Sequence, residues 1–197
     1  MHKRSYYIIN SITLYRLIAA PILVVLIFTN NFNLFKWLLP LSFFTDLIDG
    51  FLARRYKVSS KFGSLIDSIG DDLTIIAGII GVFVFKKGFI QDNFWIVITL
   101  IVLLGIQNIS ALIKYRKLSS FHTYLAKVAA IIQGSFLILI FLLPEPIYPL
   151  FYVAAIISAL DLIEEIILVV VLSKWKTDVK GLYWVFKNRK LKSTGVV

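Results

Sequence analysis

The sequence predicts an all-α, polytopic integral membrane protein, and three observations carry that expectation. Of its 197 residues, 59% are hydrophobic and only 16% charged, against about half and a quarter in soluble domains. Mean hydropathy is +0.86. The apolar residues gather in six stretches of membrane-crossing length, separated by short breakers. The absence of cysteine excludes a disulfide-stapled secreted scaffold, and the apolar content excludes a disordered chain. A formal charge of +10 would suggest nucleic acid in a soluble protein. Here it reads as topology and attraction to membrane lipids, so no nucleic-acid partner is expected.

A helix needs about 20 mostly apolar residues to cross the hydrocarbon. Residues 1–10 form a short amphipathic segment expected to lie along the interface. The first span, 8–28, ends at Asn30-Asn31. The second, 34–52, and the third, 62–85, are joined by the more polar 54–61. Lys86-Lys87-Gly88 separates them from the fourth, 94–113. The fifth, 125–143, stops at Pro144-Glu145-Pro146, and the sixth covers 148–172. A basic tail from about 174 to 197 completes what reads as one membrane domain over 1–197, with no repeat or cleavable signal pattern.

The basic residues set the orientation. Lys3 and Arg4, then Arg54, Arg55, Lys57 and Lys61, then Lys114, Arg116 and Lys117, then seven in the tail fall on one side. The other side has only Lys36, Lys86 and Lys87. The positive-inside rule puts both termini in the cytoplasm, across the inner membrane if the source is bacterial.

A charge at membrane depth is costly, about 2.5–3.5 kcal/mol on insertion scales, so each needs a partner or a task. Of eleven acids, five (Asp46, Asp49, Asp67, Asp71 and Asp72) cluster at the cytoplasmic end of the second span and the start of the third. Asp46 and Asp49 are i,i+3, and Asp67 and Asp71 are i,i+4, so each pair shares a helix face. Helices joined by a short loop pack antiparallel, which brings four carboxylates together. Four such anions cannot share a low-dielectric site uncompensated. Divalent cations resolve this, and oxygen ligands without Cys or a nearby His favour Mg²⁺, Mn²⁺ or Ca²⁺ over Zn²⁺. Four carboxylates suffice for two ions of the kind that clamp phosphoryl chemistry. Between the pairs, Gly50 and Ala53 keep one face small, Gly63 permits a second close approach, and Arg54 offers a planar fork to phosphate oxygens.

Written out, the segment is Asp46-x2-Asp49-Gly50-x2-Ala53-Arg54-x8-Gly63-x3-Asp67-x3-Asp71. It resembles the signature of the CDP-alcohol phosphatidyltransferase family at all eight fixed positions. Six spans with both termini inside are also similar to that family, and Asn10-x2-Thr13-x2-Arg16-x4-Pro21 is similar to its weaker N-terminal element. The resemblance implies that Asp46, Asp49, Asp67 and Asp71 ligate two Mg²⁺ or Mn²⁺ ions and that Asp71 is the general base. It implies CDP contacts from Asp49, Gly50, Arg54 and Ser60, with Asn10 and Thr13 closing the nucleotide pocket. It further implies transfer of a phosphatidyl group from CDP-diacylglycerol to a hydroxyl acceptor with release of CMP, at a site open to the cytoplasm. Asp72, outside the signature, reads as a helix-end charge.

The acceptor is less defined. Glycerol-phosphate transferases of the family usually carry Asp-Pro-x-Ala-Asp-Lys where this chain reads Asp67-Ser68-Ile69-Gly70-Asp71-Asp72. They also tend to have an arginine along span four, where Gln107 and Asn108 lie here. Lys127 does match the family lysine aimed at an acceptor phosphate, with Lys114 and Arg116 on the same side; ordinary interfacial lysines are the competing reading. Glycerol 3-phosphate, an inositol phosphate, serine and a lipid hydroxyl stay open as acceptors, as does a CDP-linked small alcohol donor. His122 reads as an interfacial residue. Arg16, inside the first span, needs a partner. The acids Asp161, Glu164 and Glu165 share a face of span six as its tether, an acceptor-site wall, a homodimer seam, or a polar face on a hydrated cavity. A cation transporter is the rival from another class, but it should place acids near the midplane on broken helices.

Overall fold

A computed structural model of the chain describes residue 15 and residues 18–56, 61–117, 121–176 and 178–193. Side chains are described among these except at 46, 47, 49–56, 61–69, 71, 72 and 188–193. Among the described residues every regular element is a helix. In chain order these are α1 (Ile18–Phe28), α2 (Phe32–Tyr56), α3 (Lys61–Phe85), α4 (Lys87–Asp92), α5 (Phe94–Tyr115), α6 (Tyr124–Leu142), α7 (Tyr148–Val171) and α8 (Leu182–Ser193). The all-helical expectation is met.

Two helices, α5 and α6, are long and apolar enough to cross a membrane, and only 11% and 17% of their most apolar windows are buried. Ile101, Val102, Ile109, Ile113, Val128 and Ile131 stand exposed along them. A surface this apolar is stable against hydrocarbon, not water. The chain is an integral membrane protein. Helices α2, α3 and α7 overlap the expected spans 34–52, 62–85 and 148–172, and α1 overlaps the end of the expected 8–28; among the described residues these four do not meet the same length and polarity. The amphipathic segment 1–10 lies outside the described residues.

Two boundaries differ from the sequence reading. Half of the polar 54–61 connection is helical, with α2 running to Tyr56 and α3 starting at Lys61, and residues 57–60 lie outside the described residues. Arg54, Arg55 and Lys61 are good helix formers, and no Pro or Asn interrupts them. The unexpected α4 follows Lys86, whose N–H donates to the Val82 carbonyl, and buried Phe89 anchors it.

Breakers act where expected. Asn30 takes a left-handed φ of 53°, a conformation Asn tolerates, and the Asn31 side chain accepts the Leu34 N–H at the start of α2. Pro149 sits in the first turn of α7, where its missing N–H leaves no bond unmade.

The packing forms two compact units. The first comprises Met1–Gln91 and Leu137–Glu145. Its centre is aromatic: Phe35 meets Phe85 at 5.2 Å and Phe141 at 5.0 Å between ring centroids, and Phe32 meets Phe85 at 5.4 Å. Glycines bring α3 into this cluster. A Cβ on Gly81 would stand 2.5 Å from Phe35 Cζ, and one on Gly78 would stand 2.6 Å from Leu137.

The second unit comprises Asp92–Phe136 and Pro146–Val197. Here α5 packs along α7, and α7 meets α8. Ala111, Phe121, Leu168, Val169 and Leu172 form its core at the α8 end, with Tyr115, Val179, Leu182 and Val185 against it. Each of these two units has its own core.

Candidate active site

The first unit positions the signature. Along α2 the buried positions are Phe35, Leu39 and Ser42, spaced four and three apart. Continuing that stripe by four and three reaches Asp46 and Asp49. Along α3 the buried positions Gly81, Gly78 and Thr74 step back by three and four, and the same steps reach Asp71 and Asp67. The four aspartates thus occupy helix positions that extend the packed stripes.

The register of the two helices is fixed by Phe35 against Gly81 and Phe32 against Phe85. As one number rises the other falls, so the helices run antiparallel. Counting one residue forward on α2 for each residue back on α3 sets position 49 opposite 67 and position 46 opposite 70. The backbone therefore holds both aspartate pairs within about one 5.4 Å turn of the same height, on helices in mutual contact.

Gly70 is buried, and the Thr74 hydroxyl donates to its carbonyl at 2.8 Å. Ser42 binds back to the Leu38 carbonyl at 3.0 Å in the same way. Both hydroxyls are satisfied by their own helices, so the packed stripe carries no stray polar group just below the aspartates.

The side chains of Asp46, Asp49, Gly50, Arg54, Asp67, Asp71 and Asp72 lie outside the described residues, although their backbones belong to α2 and α3. Asn10, Thr13, Arg16 and Ser60 lie outside them altogether. Among the described residues, no group of three or more His, Cys, Asp or Glu stands close enough to hold a metal ion.

The basic residues considered for the acceptor lie in the second unit. Lys114 Nζ donates to the carbonyls of Val169 and Val170, each at 2.9 Å. These are among the last carbonyls of α7, which lack partners within their helix. Tyr115 joins it, donating to the Leu172 carbonyl at 2.7 Å with the Val169 oxygen at 3.0 Å. Arg116 is the left-handed residue that closes α5, its N–H bonded to the Leu112 carbonyl at 2.9 Å. Lys127 is exposed, its ammonium 5.7 Å from the centre of the Tyr124 ring.

The α7 acids divide their work. Glu165 accepts a bond from buried Gln107 at 2.6 Å across the α5–α7 contact. Glu164 accepts the Leu182 N–H at 2.8 Å and so caps α8 from another helix. Asp161 is bonded to Thr123, whose hydroxyl oxygen also accepts the Ala126 N–H at 3.0 Å and caps α6. Asp161 Oδ1 and Glu164 Oε2 are buried without a hydrogen-bond partner among the described residues. A Ser158–Gln133 hydrogen bond adds a half-buried polar link between α7 and α6.

The sequence reading had the three acids on one face but not these partners. Gln107 entered it only as a departure from arginine, and Thr123 and Ser158 did not enter at all. The available signals were a polar residue inside an apolar span and a Thr three residues before Ala126 at a helix start.

The family model for CDP-alcohol phosphatidyltransferases matches residues 6–174, running through both units. A CDP-diacylglycerol–glycerol-3-phosphate 3-phosphatidyltransferase from Rickettsia typhi is 30% identical over 86 residues, 42% of this chain and 47% of the relative. One from Cereibacter sphaeroides is 28% identical over 135 residues, covering 61% of this chain and 59% of the relative. A human cardiolipin synthase (CMP-forming) is 33% identical over 76 residues, 38% of this chain and 25% of that protein. The chain thus spans about half the length of the bacterial relatives it matches. No solved structure matches it.

Proposed function

The chain belongs to the CDP-alcohol phosphatidyltransferase family, and from that premise we propose that it moves a phosphatidyl group from CDP-diacylglycerol to a hydroxyl acceptor, releasing CMP. The observation that carries this reading is the antiparallel α2–α3 pair, whose packed stripes extend to Asp46, Asp49, Asp67 and Asp71 at one height. Two Mg²⁺ or Mn²⁺ ions fit that donor set, four hard carboxylate oxygen groups with no sulfur or imidazole among them. Bound there, such ions supply charge neutralisation at the pyrophosphate and the leaving oxygen.

The rest is work for the chain's own residues. Asp71 takes the proton from the acceptor hydroxyl as its oxygen attacks the β-phosphorus. The new phosphorus–oxygen bond forms as the bond to the CMP oxygen breaks, and CMP carries away that electron pair. Arg54 pairs its fork with phosphate oxygens. Gly50 lets the backbone approach the nucleotide, with Asn10, Thr13, Asp49 and Ser60 completing the CDP contacts. In this reading six spans (α1, α2, α3, α5, α6 and α7) form one catalytic domain, and both termini and the signature face the cytoplasm. The bias of basic residues supports that orientation.

Glycerol 3-phosphate is the acceptor we favour, because the bacterial relatives carry it in their names. A second reading, a lipid hydroxyl, is favoured by one observation. Gln107, in the region where glycerol-phosphate transferases tend to carry arginine, is already bonded to Glu165. Purified chain with Mn²⁺, CDP-diacylglycerol and a panel of acceptors separates these by CMP release. CMP formed with glycerol 3-phosphate supports the first reading, and CMP only with phosphatidylglycerol the second. No CMP with any acceptor rejects both.

A further inference from the structure

At the α8 end of the second unit, exposed aromatic and basic residues collect on one surface. Tyr124, Trp175, Tyr183, Trp184 and Phe186 are all exposed, Tyr183 at 66%. The Tyr124 and Trp184 rings meet edge-on at 5.4 Å. Lys117 stands 4.7 Å from the centre of the Trp175 ring, and Lys127 stands 5.7 Å from that of Tyr124. Lys174, Lys176, Lys180 and Lys187 are exposed along the same segment. Between residues 174 and 193 there are seven basic residues and a single acid, Asp178.

This surface is built rather than trailing. The Val179 N–H donates to the Phe121 carbonyl at 2.8 Å, and the Tyr124 N–H donates to that of Lys180 at 3.3 Å. Gly181, at φ 144°, then lets the chain turn into α8 with Glu164 capping the Leu182 N–H. Leu182 and Val185 pack inward. Tyr183, Phe186 and Lys187, at i, i+3 and i+4, form an exposed stripe beside that packed face.

We propose that this stripe seats α8 on the bilayer surface and binds the headgroups of anionic phospholipids there. Aromatic rings with one apolar and one polar aspect belong at headgroup depth, and the lysines match negative headgroups in charge. A water-facing helix has no need of three aromatic residues in its first five positions. The Glu164 cap and the Phe121–Val179 pairing set where the stripe lies. The inference does not depend on the transferase reading or on its acceptor.

The chain has no cysteine, so single labels are unambiguous. Full-length Tyr183→Cys, labelled with a fluorophore and reconstituted in nanodiscs, is titrated with spin-labelled phosphatidylglycerol or spin-labelled phosphatidylcholine as quencher. A label at Trp95→Cys, exposed on α5 of the same unit, serves as reference. Quenching at position 183 is expected to be several-fold stronger by the anionic lipid, with no such preference at position 95. The preference should collapse in high salt and in a Lys176→Gln/Lys180→Gln/Lys187→Gln variant whose reference signal is unchanged. Equal quenching by both lipids would mean a merely apolar seat, and no quenching a helix in water. Either result overturns the proposal.

Discussion

Gly81 and Lys114 show how much a single position carries. The Phe35 ring that a Gly81 Cβ would strike is buried between Phe85 and Phe141 and has nowhere to turn. Gly81→Ala is therefore expected to lower stability in detergent by about 1–3 kcal/mol, read as thermal unfolding. Gly105, with open space around its Cβ position, is the control, and Gly105→Ala should be neutral or slightly stabilising. Lys114 is committed to the Val169 and Val170 carbonyls. Lys114→Met should cost about 1 kcal/mol of stability by taking the side-chain partner from the Val170 carbonyl, the Val169 carbonyl keeping the Tyr115 hydroxyl, while the KM for a phosphorylated acceptor stays within about threefold. A large rise in KM at unchanged stability would return Lys114 to the acceptor. Its lysine identity was visible in the sequence, but its partners were not, since they lie 55 and 56 positions away.

Helix pairing is where the signature acquires geometry. The register argument places Ser42 of α2 opposite Thr74 of α3, both buried. A Ser42→Cys/Thr74→Cys chain should cross-link rapidly with a short bifunctional thiol reagent, and Phe44→Cys/Thr74→Cys, with Phe44 on the exposed face, should not. Failure of the first pair would remove the basis for bringing the aspartates together. The α7–α8 junction gives a second test. Glu164→Ala should destabilise the start of α8 by about 1 kcal/mol, seen as faster hydrogen exchange at Leu182, whereas Glu164→Gln keeps an acceptor oxygen and should exchange nearly as wild type.

The helices themselves were largely legible in the sequence, because hydrophobic length and the Asn and Pro breakers act locally. The last turn of α2, beyond residue 52, was not, since Arg54 and Arg55 read as polar loop or helix equally well. The short α4 was hidden for a different reason. It depends on Phe89 finding a buried place, a tertiary contact that periodicity does not show.

Across the whole chain, charge is divided by sign: the positive-inside pattern assigns most basic residues to one side, while four of the eleven acids sit in the signature. Position and spacing made that division readable without a structure. The partners of Asp161, Glu164 and Glu165 needed one, because they come from three other segments. If the positive-inside reading holds, Lys87→Cys and Lys117→Cys, both exposed, should be labelled by an impermeant maleimide from opposite sides of sealed vesicles. The central claim is that the four signature aspartates form a metal-dependent transfer site with Asp71 as base. It is tested most directly by measuring CMP release and lipid product together for wild type and Asp71→Asn, with Mn²⁺ and after chelation. The expected result is equal molar CMP and product from wild type, loss of both on chelation, and a fall of about a hundredfold or more in the variant while it stays folded. Full activity in Asp71→Asn, or CMP release indifferent to chelation, would contradict it.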